Sequence, residues 1–291
     1  MASLKEVKTR IASVNSTRKI TSAMKMVASS KLHRAQQSIE SMRPYEYRLD
    51  KMMSTFVACL EGNVDSPYAV QRDIHRVALV LFTSNSSLCG GFNGNAIKAF
   101  RKKVENFQEQ GVEVVKVFAV GKKGIEAVRK MKLNNVEEFS TLLEHPSYDV
   151  SSKIAAELML LFCQGAIDKA ELVYHHFKSA ASQILTEETF LPITFSPEDL
   201  PTTGKSYALD YIIEPSSAYI IDKLIPKTLY LKIYTALLDS LASEHAARII
   251  AMQVATDNAD ELLRELKLTY NKTRQQAITT ELLDIVGGSM Q

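Results

Sequence analysis

Two short segments hold the residue types that bind phosphate or make a nucleophile. "TTGKS", Thr202 to Ser206, matches the close of a P-loop, but that loop needs a glycine five places before Gly204, and Asp199 stands there. The segment follows a proline-containing stretch instead of a strand, so it reads as a turn. "SLCGGFNGN", Ser87 to Asn95, lies between a strand-like and a helix-like run, where α/β proteins bind anions on backbone amides. It lacks the GxGxxG spacing and reads as a tight strand-to-helix turn capped by Asn93 or Asn95. Cys89 within it would act as a nucleophile only beside a base in space. His175 and His176 are adjacent in a strand-like run, so they point to opposite faces and cannot chelate one metal. They read as a core and a surface histidine. HExxH, an aspartate-rich calcium loop and a GxSxG elbow are all missing. The expectation is a chain with no catalytic, cofactor-binding or metal residues and no cofactor.

Composition narrows the class. A chain of 291 residues, 46% hydrophobic and 23% charged, can bury one large or two ordinary cores. A net charge of +2 does not by itself mark a nucleic-acid binder, but charge is unevenly placed. The first 48 residues carry Lys5, Lys8, Arg10, Arg18, Lys19, Lys25, Lys31, Arg34, Arg43 and Arg48 against Glu6, Glu40 and Glu46. From Lys5 to Arg43 no Phe, Tyr or Trp interleaves these charges as a nucleic-acid stacking platform would require, so a protein partner is expected and nucleic acid is not. A plain solvated face is the simpler alternative. Cys59, Cys89 and Cys163 are too scattered for a disulfide framework or zinc site and suggest a reducing compartment. No apolar run reaches the roughly 18 residues of a membrane span. Ser3 to Glu6 spells a capping box, which argues against a cleaved leader.

The elements that position these residues fall into three segments. From Leu4, alternating steps of three and four pass through Val7, Ile11, Val14, Arg18, Thr21, Lys25, Ala28, Leu32, Ala35, Ile39, Met42, Glu46, Leu49, Met53, Phe56 and Leu60. That is a coiled-coil seam, with Pro44 the one residue able to kink it. Such a helix would be roughly 85 Å long, beyond the depth of one core. A matching seam, many of its positions small or hydroxylated, runs from Ile221 to Ala277, with Pro215 in the first turn, a kink expected at Pro226 and a stop at Gly287 and Gly288. Between them, His75–Thr83, Val112–Gly121 and Ala170–Phe177 read as strands, with helices over 96–110, 124–131 and 151–167. Gln183–Ile193 reads as an outer strand, and 197–204 as a linker. The fold class is therefore α/β plus coiled coil: an antiparallel coiled coil of long N- and C-terminal helices with an inserted Rossmann-like, mostly parallel α/β domain. The expected divisions are 1–62, 74–195 and 210–291.

One feature of the last helix resists a packing explanation. An unbroken polar run, Asn271 to Gln276, separates its seam from Ile278, Leu282, Ile285 and Val286. Together with "KEVKTRIASVNSTRKITSAMKMVASSKL" (Lys5–Leu32), "LCGGFN" (Leu88–Asn93) and "SEHAARIIAMQVATDNADELLRELKLTYNKTRQQAITTELLDIVGG" (Ser243–Gly288), it gives the chain its family likeness. The whole chain resembles the gamma-subunit, or central-stalk, family of F-type ATP synthases, most closely the bacterial form. The resemblance implies a non-catalytic rotor that transmits torque between a membrane c-ring, driven by protons or sodium, and an alpha–beta hexamer whose beta subunits make or hydrolyse ATP. It implies an epsilon subunit as a further partner. It also implies a peripheral position on the cytoplasmic face of the bacterial inner membrane, held there through the complex only. Met24 and Lys25 match positions facing acidic beta-subunit loops, which the basic face around Arg18, Lys19, Lys25 and Lys31 is expected to meet. Arg274 and Gln275 match contacts to the catch loops, and Ile278, Leu282, Ile285 and Val286 a tip held in an apolar sleeve. Where many bacterial relatives have Asp-Arg-Gly, this chain has Asn85, Ser86 and Ser87, which puts charge pairing by that loop in doubt; the dithiol insertion of chloroplast forms is absent. The alternative from the residues alone is an α/β anion- or nucleotide-binding enzyme with a coiled-coil dimerisation module; a free coiled-coil scaffold is a third reading.

Overall fold

The structure, a computed structural model, describes residues 3–59, 66–193 and 217–288. Helix α1 spans Leu4–Cys59 and α5 spans Ser217–Gly288. Between them run β1 (Arg76–Phe82), α2 (Phe92–Glu109), β2 (Glu113–Val120), α3 (Lys122–Lys130), β3 (Val136–Phe139), α4 (Tyr148–Cys163), β4 (Lys169–Ser179) and β5 (Ser182–Leu191). Ser3 starts α1 as the capping box requires, its hydroxyl accepting from the Glu6 amide at 3.3 Å. Both Pro44 and Pro226 lie inside unbroken helical assignments, and Gly287 and Gly288 belong to the last turn of α5 instead of stopping it. The "TTGKS" segment, the linker and Pro215 lie outside the described residues.

The chain forms two compact units, Met1–Ser30 with Arg248–Gln291 and Lys31–Ala247. In the larger unit the strands order β3-β2-β1-β4-β5. The first four are parallel and β5 is antiparallel on β4, so the expected outer strand is an edge. Period-two alternation sends Ala78, Val80 and Phe82 into a core with α4, Met53 of α1 and Ile225–Leu241 of α5. Leu79 and Leu81 face the opposite core, built with Phe100 and Val104 of α2 and Val128 of α3. A sheet buried on both faces explains why β1 reads as a continuous apolar run.

In the smaller unit the two helices pair antiparallel. Arg18 meets Asp260, Thr21 meets Thr256 and Lys25 meets Gln253, numbers rising on one helix as they fall on the other. The seam positions Val7, Thr21 and Ala28 are buried against a chain of buried partners at Met252, Ala259, Leu263 and Leu266. The Thr21 and Thr256 hydroxyls share a hydrogen bond at 2.8 Å across the seam, which satisfies one buried and one half-buried polar group where small side chains let the backbones approach. Continued at this register, Ser3 falls close to Gln275, so the last turns of α5 outrun α1.

Candidate functional site

The glycine-rich loop is closed on itself. Asn93 is not a cap, and neither is Asn95: α2 begins at Phe92 after Gly91, with no side-chain cap bond. Asn93 instead sits in the first turn and reaches back. Its Oδ1 accepts from the Ser84 amide at 2.9 Å, while its Nδ2 donates to Ser84 Oγ at 2.7 Å, Ser86 O at 3.3 Å and Cys89 Sγ at 3.2 Å. Cys89 is 2% exposed, and the groups bonded to its sulfur are a hydroxyl, an amide and a carbonyl, so nothing bonded to it can act as a base. Asn85 joins neighbouring loops, accepting from the Lys122 amide and donating to Ser140 O and Glu144 Oε1. A neutral amide thus ties this corner together.

The two histidines separate as their adjacency requires. His175 is buried and stacked on Phe92 with ring centroids 4.4 Å apart; burial pushes its imidazole down to about 4. Its carbonyl accepts from Ser243 Oγ of α5 at 3.1 Å. His176 reaches Asp239 of α5 from the other face. Among the described residues, no group of three or more His, Cys, Asp or Glu could hold a metal ion.

Chemistry of contact is better supplied. Arg18 is partly exposed, its guanidinium 3.0 Å from Asp260. Lys25, expected on an outward basic face, is half-buried and bonds Gln253 across the seam; Gln253 in turn donates to Asp257 at 2.8 Å. Lys19 and Lys31 are exposed, and Met24 is half-buried. Arg18, Lys19, Ser22, Ala23, Met26, Thr256 and Asp260 line a shallow groove of about 390 Å³. Sequence periodicity did not single out Asp260, because it lies off the seam, nor Ile20, Met26 and Val27, which are 58–65% exposed beside the basic residues. Large apolar side chains left in water on a helix mark a surface that another protein covers.

At the end of α5 the polar run stays helical. Arg274 and Gln275 are exposed, Thr273 and Ala277 half-covered, and everything described beyond is exposed: Ile278 47%, Leu282 57%, Leu283 66%, Ile285 68% and Val286 52%. The apolar turn therefore follows the point where α1 runs out.

What the described residues assemble is, in one unit, a contact surface on an antiparallel helix pair and, in the other, a doubly wound sheet, the class of helical stalk and scaffold proteins. The ATP synthase family model matches residues 3–290. ATP synthase gamma chains of Bacteroides fragilis and Bacteroides thetaiotaomicron are 55% and 54% identical over the full length of both chains. The fold resembles a chain of the Euglena gracilis mitochondrial ATP synthase, OSCP/F1/c-ring assembly (TM-score 0.68, 21% identity, covering 99% of this chain and 93% of that one). It also resembles a chain of the Tetrahymena thermophila mitochondrial central stalk and c-ring (TM-score 0.57, 22% identity, 81% and 99% covered). This chain belongs to the ATP synthase gamma chain family.

Proposed function

We propose that the chain is the rotating central stalk of an F-type ATP synthase. It carries torque between a membrane ion-driven c-ring and an alpha–beta hexamer, ATP being made or hydrolysed on the beta subunits and not on this chain. It binds an epsilon subunit and no nucleic acid. It sits peripherally on the cytoplasmic face of the bacterial inner membrane, through the complex; among the described residues no helix is long and apolar enough to cross a membrane.

The observation that carries this reading is the exposed apolar turn Ile278–Val286, placed directly after exposed Arg274 and Gln275 on a helix that has outrun its partner. An apolar turn in water calls for a sleeve, and the polar turn before it can make contacts that form and break at successive angles. Arg18, Lys19 and the neighbouring Met24 offer acidic loops a second contact, with attraction screened by salt. Replacing Met24 with lysine adds a cation to that surface. In complexes reconstituted with alpha and beta subunits and the membrane c-ring sector, Met24→Lys lowers the coupling of ATP turnover to ion transport. Unchanged synthesis and hydrolysis would remove Met24 from the contact surface.

A further inference from the structure

Strands β4 and β5 outrun the rest of their sheet. β1 leaves β4 at Val173, while β4 and β5 stay paired from Tyr174 opposite Thr186 to Ser179 opposite Ser182. Among the described residues no third strand lies in register with this two-strand arm, so side-chain contacts keep it docked. Phe92 of α2 stacks on His175, and Ser243 of α5 bonds the His175 carbonyl. At the base of the arm, Lys232 of α5 pairs with Glu188 at 2.8 Å and donates to the Thr189 carbonyl at 3.2 Å.

A further link is of a different kind. Asp239 projects from a stretch of α5 in which Leu237, Leu238, Ser240 and Leu241 are all buried, and it is itself 6% exposed. His176 Nδ1 lies 2.5 Å from its Oδ2, and the His176 side chain is 50% exposed. Burial pushes the Asp239 carboxyl up; His176, Arg43 of α1 and the Phe177 amide pull it down without cancelling the burial. A desolvated carboxylate therefore faces a partner that water and protons can reach.

We infer that His176 and Asp239 form a proton-operated clasp that docks the β4–β5 arm on α5, tight when the imidazole is charged and loosened when it is neutral. The neighbouring groups leave the switching to the imidazole. Arg43 and Glu46 from α1, Tyr174 and Lys178 from β4, Glu188 from β5 and Lys232 from α5 are the charged or titratable groups around the pair. Among these types and the pair itself, an imidazole is the group that ordinarily changes charge between pH 5 and 8. Tyr174 donates its hydroxyl to Glu188 at 2.9 Å, and burial raises its phenol further out of range. His175, next along the strand, is held neutral by burial at any pH well above 4. Losing the imidazolium charge removes the ion-pair attraction and leaves a neutral N–H on a buried carboxylate, a weaker bond than one between two charged groups. In a torque-bearing stalk this would make the attachment of the sheet more compliant as pH rises; the clasp itself does not depend on that role.

The test is amide hydrogen exchange by mass spectrometry on the full chain assembled with its alpha and beta subunits. Exchange is compared at about pH 6 and about pH 8 after scaling for intrinsic exchange rates. Peptides spanning 174–188 exchange about fivefold faster at the higher pH in the wild type, the ratio expected when a hydrogen bond between two charged groups loses one of its charges. His176→Gln, which keeps a donor without a titrating charge, and Asp239→Asn abolish that dependence, while peptides from β1 and β2 respond equally in all three proteins. Equal protection of the arm at both pH values in the wild type overturns the clasp. So does a pH response that survives in His176→Gln, or one shared by the β1 and β2 peptides.

Discussion

His175 shows how much one side chain can set the conditions a domain tolerates. Its imidazole is 3% exposed, its Nδ1 has no hydrogen-bond partner among the described residues, and burial holds it down at about 4 against an ordinary 6.5. Because the folded value lies below the unfolded one, the unfolded chain binds more protons as pH falls. Stability is then complete above about 6.5 and is lost progressively down to about 4, by up to about 3 kcal/mol for this group. Urea midpoints measured across that window should fall less in a His175→Leu variant than in the wild type; parallel curves would show that this imidazole is not responsible. Adjacency in a strand was enough to read the two histidines as facing opposite ways. Their partners were not legible, because Asp239 and Phe92 are brought to them by chain crossings that leave no local pattern.

Thr83, at the end of β1, and the turn into α3 show the same logic in an element. Thr83 Oγ1 donates to Val120 O at 3.0 Å and accepts from the Gly124 amide at 2.8 Å, fastening the start of α3 to the neighbouring strand. Gly121 enters that helix at φ 98°, and a Cβ there would lie 2.5 Å from the Thr83 carbonyl oxygen. Gly121→Ala combines a left-handed backbone with a clash against main chain, so it should cost more than about 2 kcal/mol in chemical unfolding. A loss below about 0.5 kcal/mol would mean that the turn can relax.

The same elements show what period and composition reveal. The strands β1, β2 and β4 were legible as β-branched and apolar runs, and both seams were legible because every described seam position is buried or half-buried. β3 was not. Its sequence, Val-Glu-Glu-Phe, is too short and too acidic to stand out, and it becomes a strand by pairing with β2. Helices α2 and α3 begin four and two residues before their expected starts, at Phe92 and Lys122 against Ala96 and Gly124. Each follows a glycine and lacks a side-chain cap bond, so the usual start signal is missing. Asn93 looked like that signal and proved to be the brace of the loop.

For the molecule as a whole, the polar run of α5 marks the change from packing to contact. Up to Ala277 the helix keeps at least half-covered positions at the seam spacing; beyond it, apolar side chains face water. A chain ending at Gln276 retains every cross-helix bond described here and should fold with unchanged stability, yet its complex should deliver less torque. Wild-type torque from that truncated chain would reduce the tip to a solvated helix end. The most direct test of the central claim is single-molecule rotation. A bead is attached through exposed Cys163, with Cys59 replaced by serine and Cys89 protected by burial, on a chain reconstituted with surface-anchored alpha and beta subunits. ATP should drive the bead in one direction in discrete steps; steady ATP hydrolysis by the complex with the bead fluctuating at random would contradict the account.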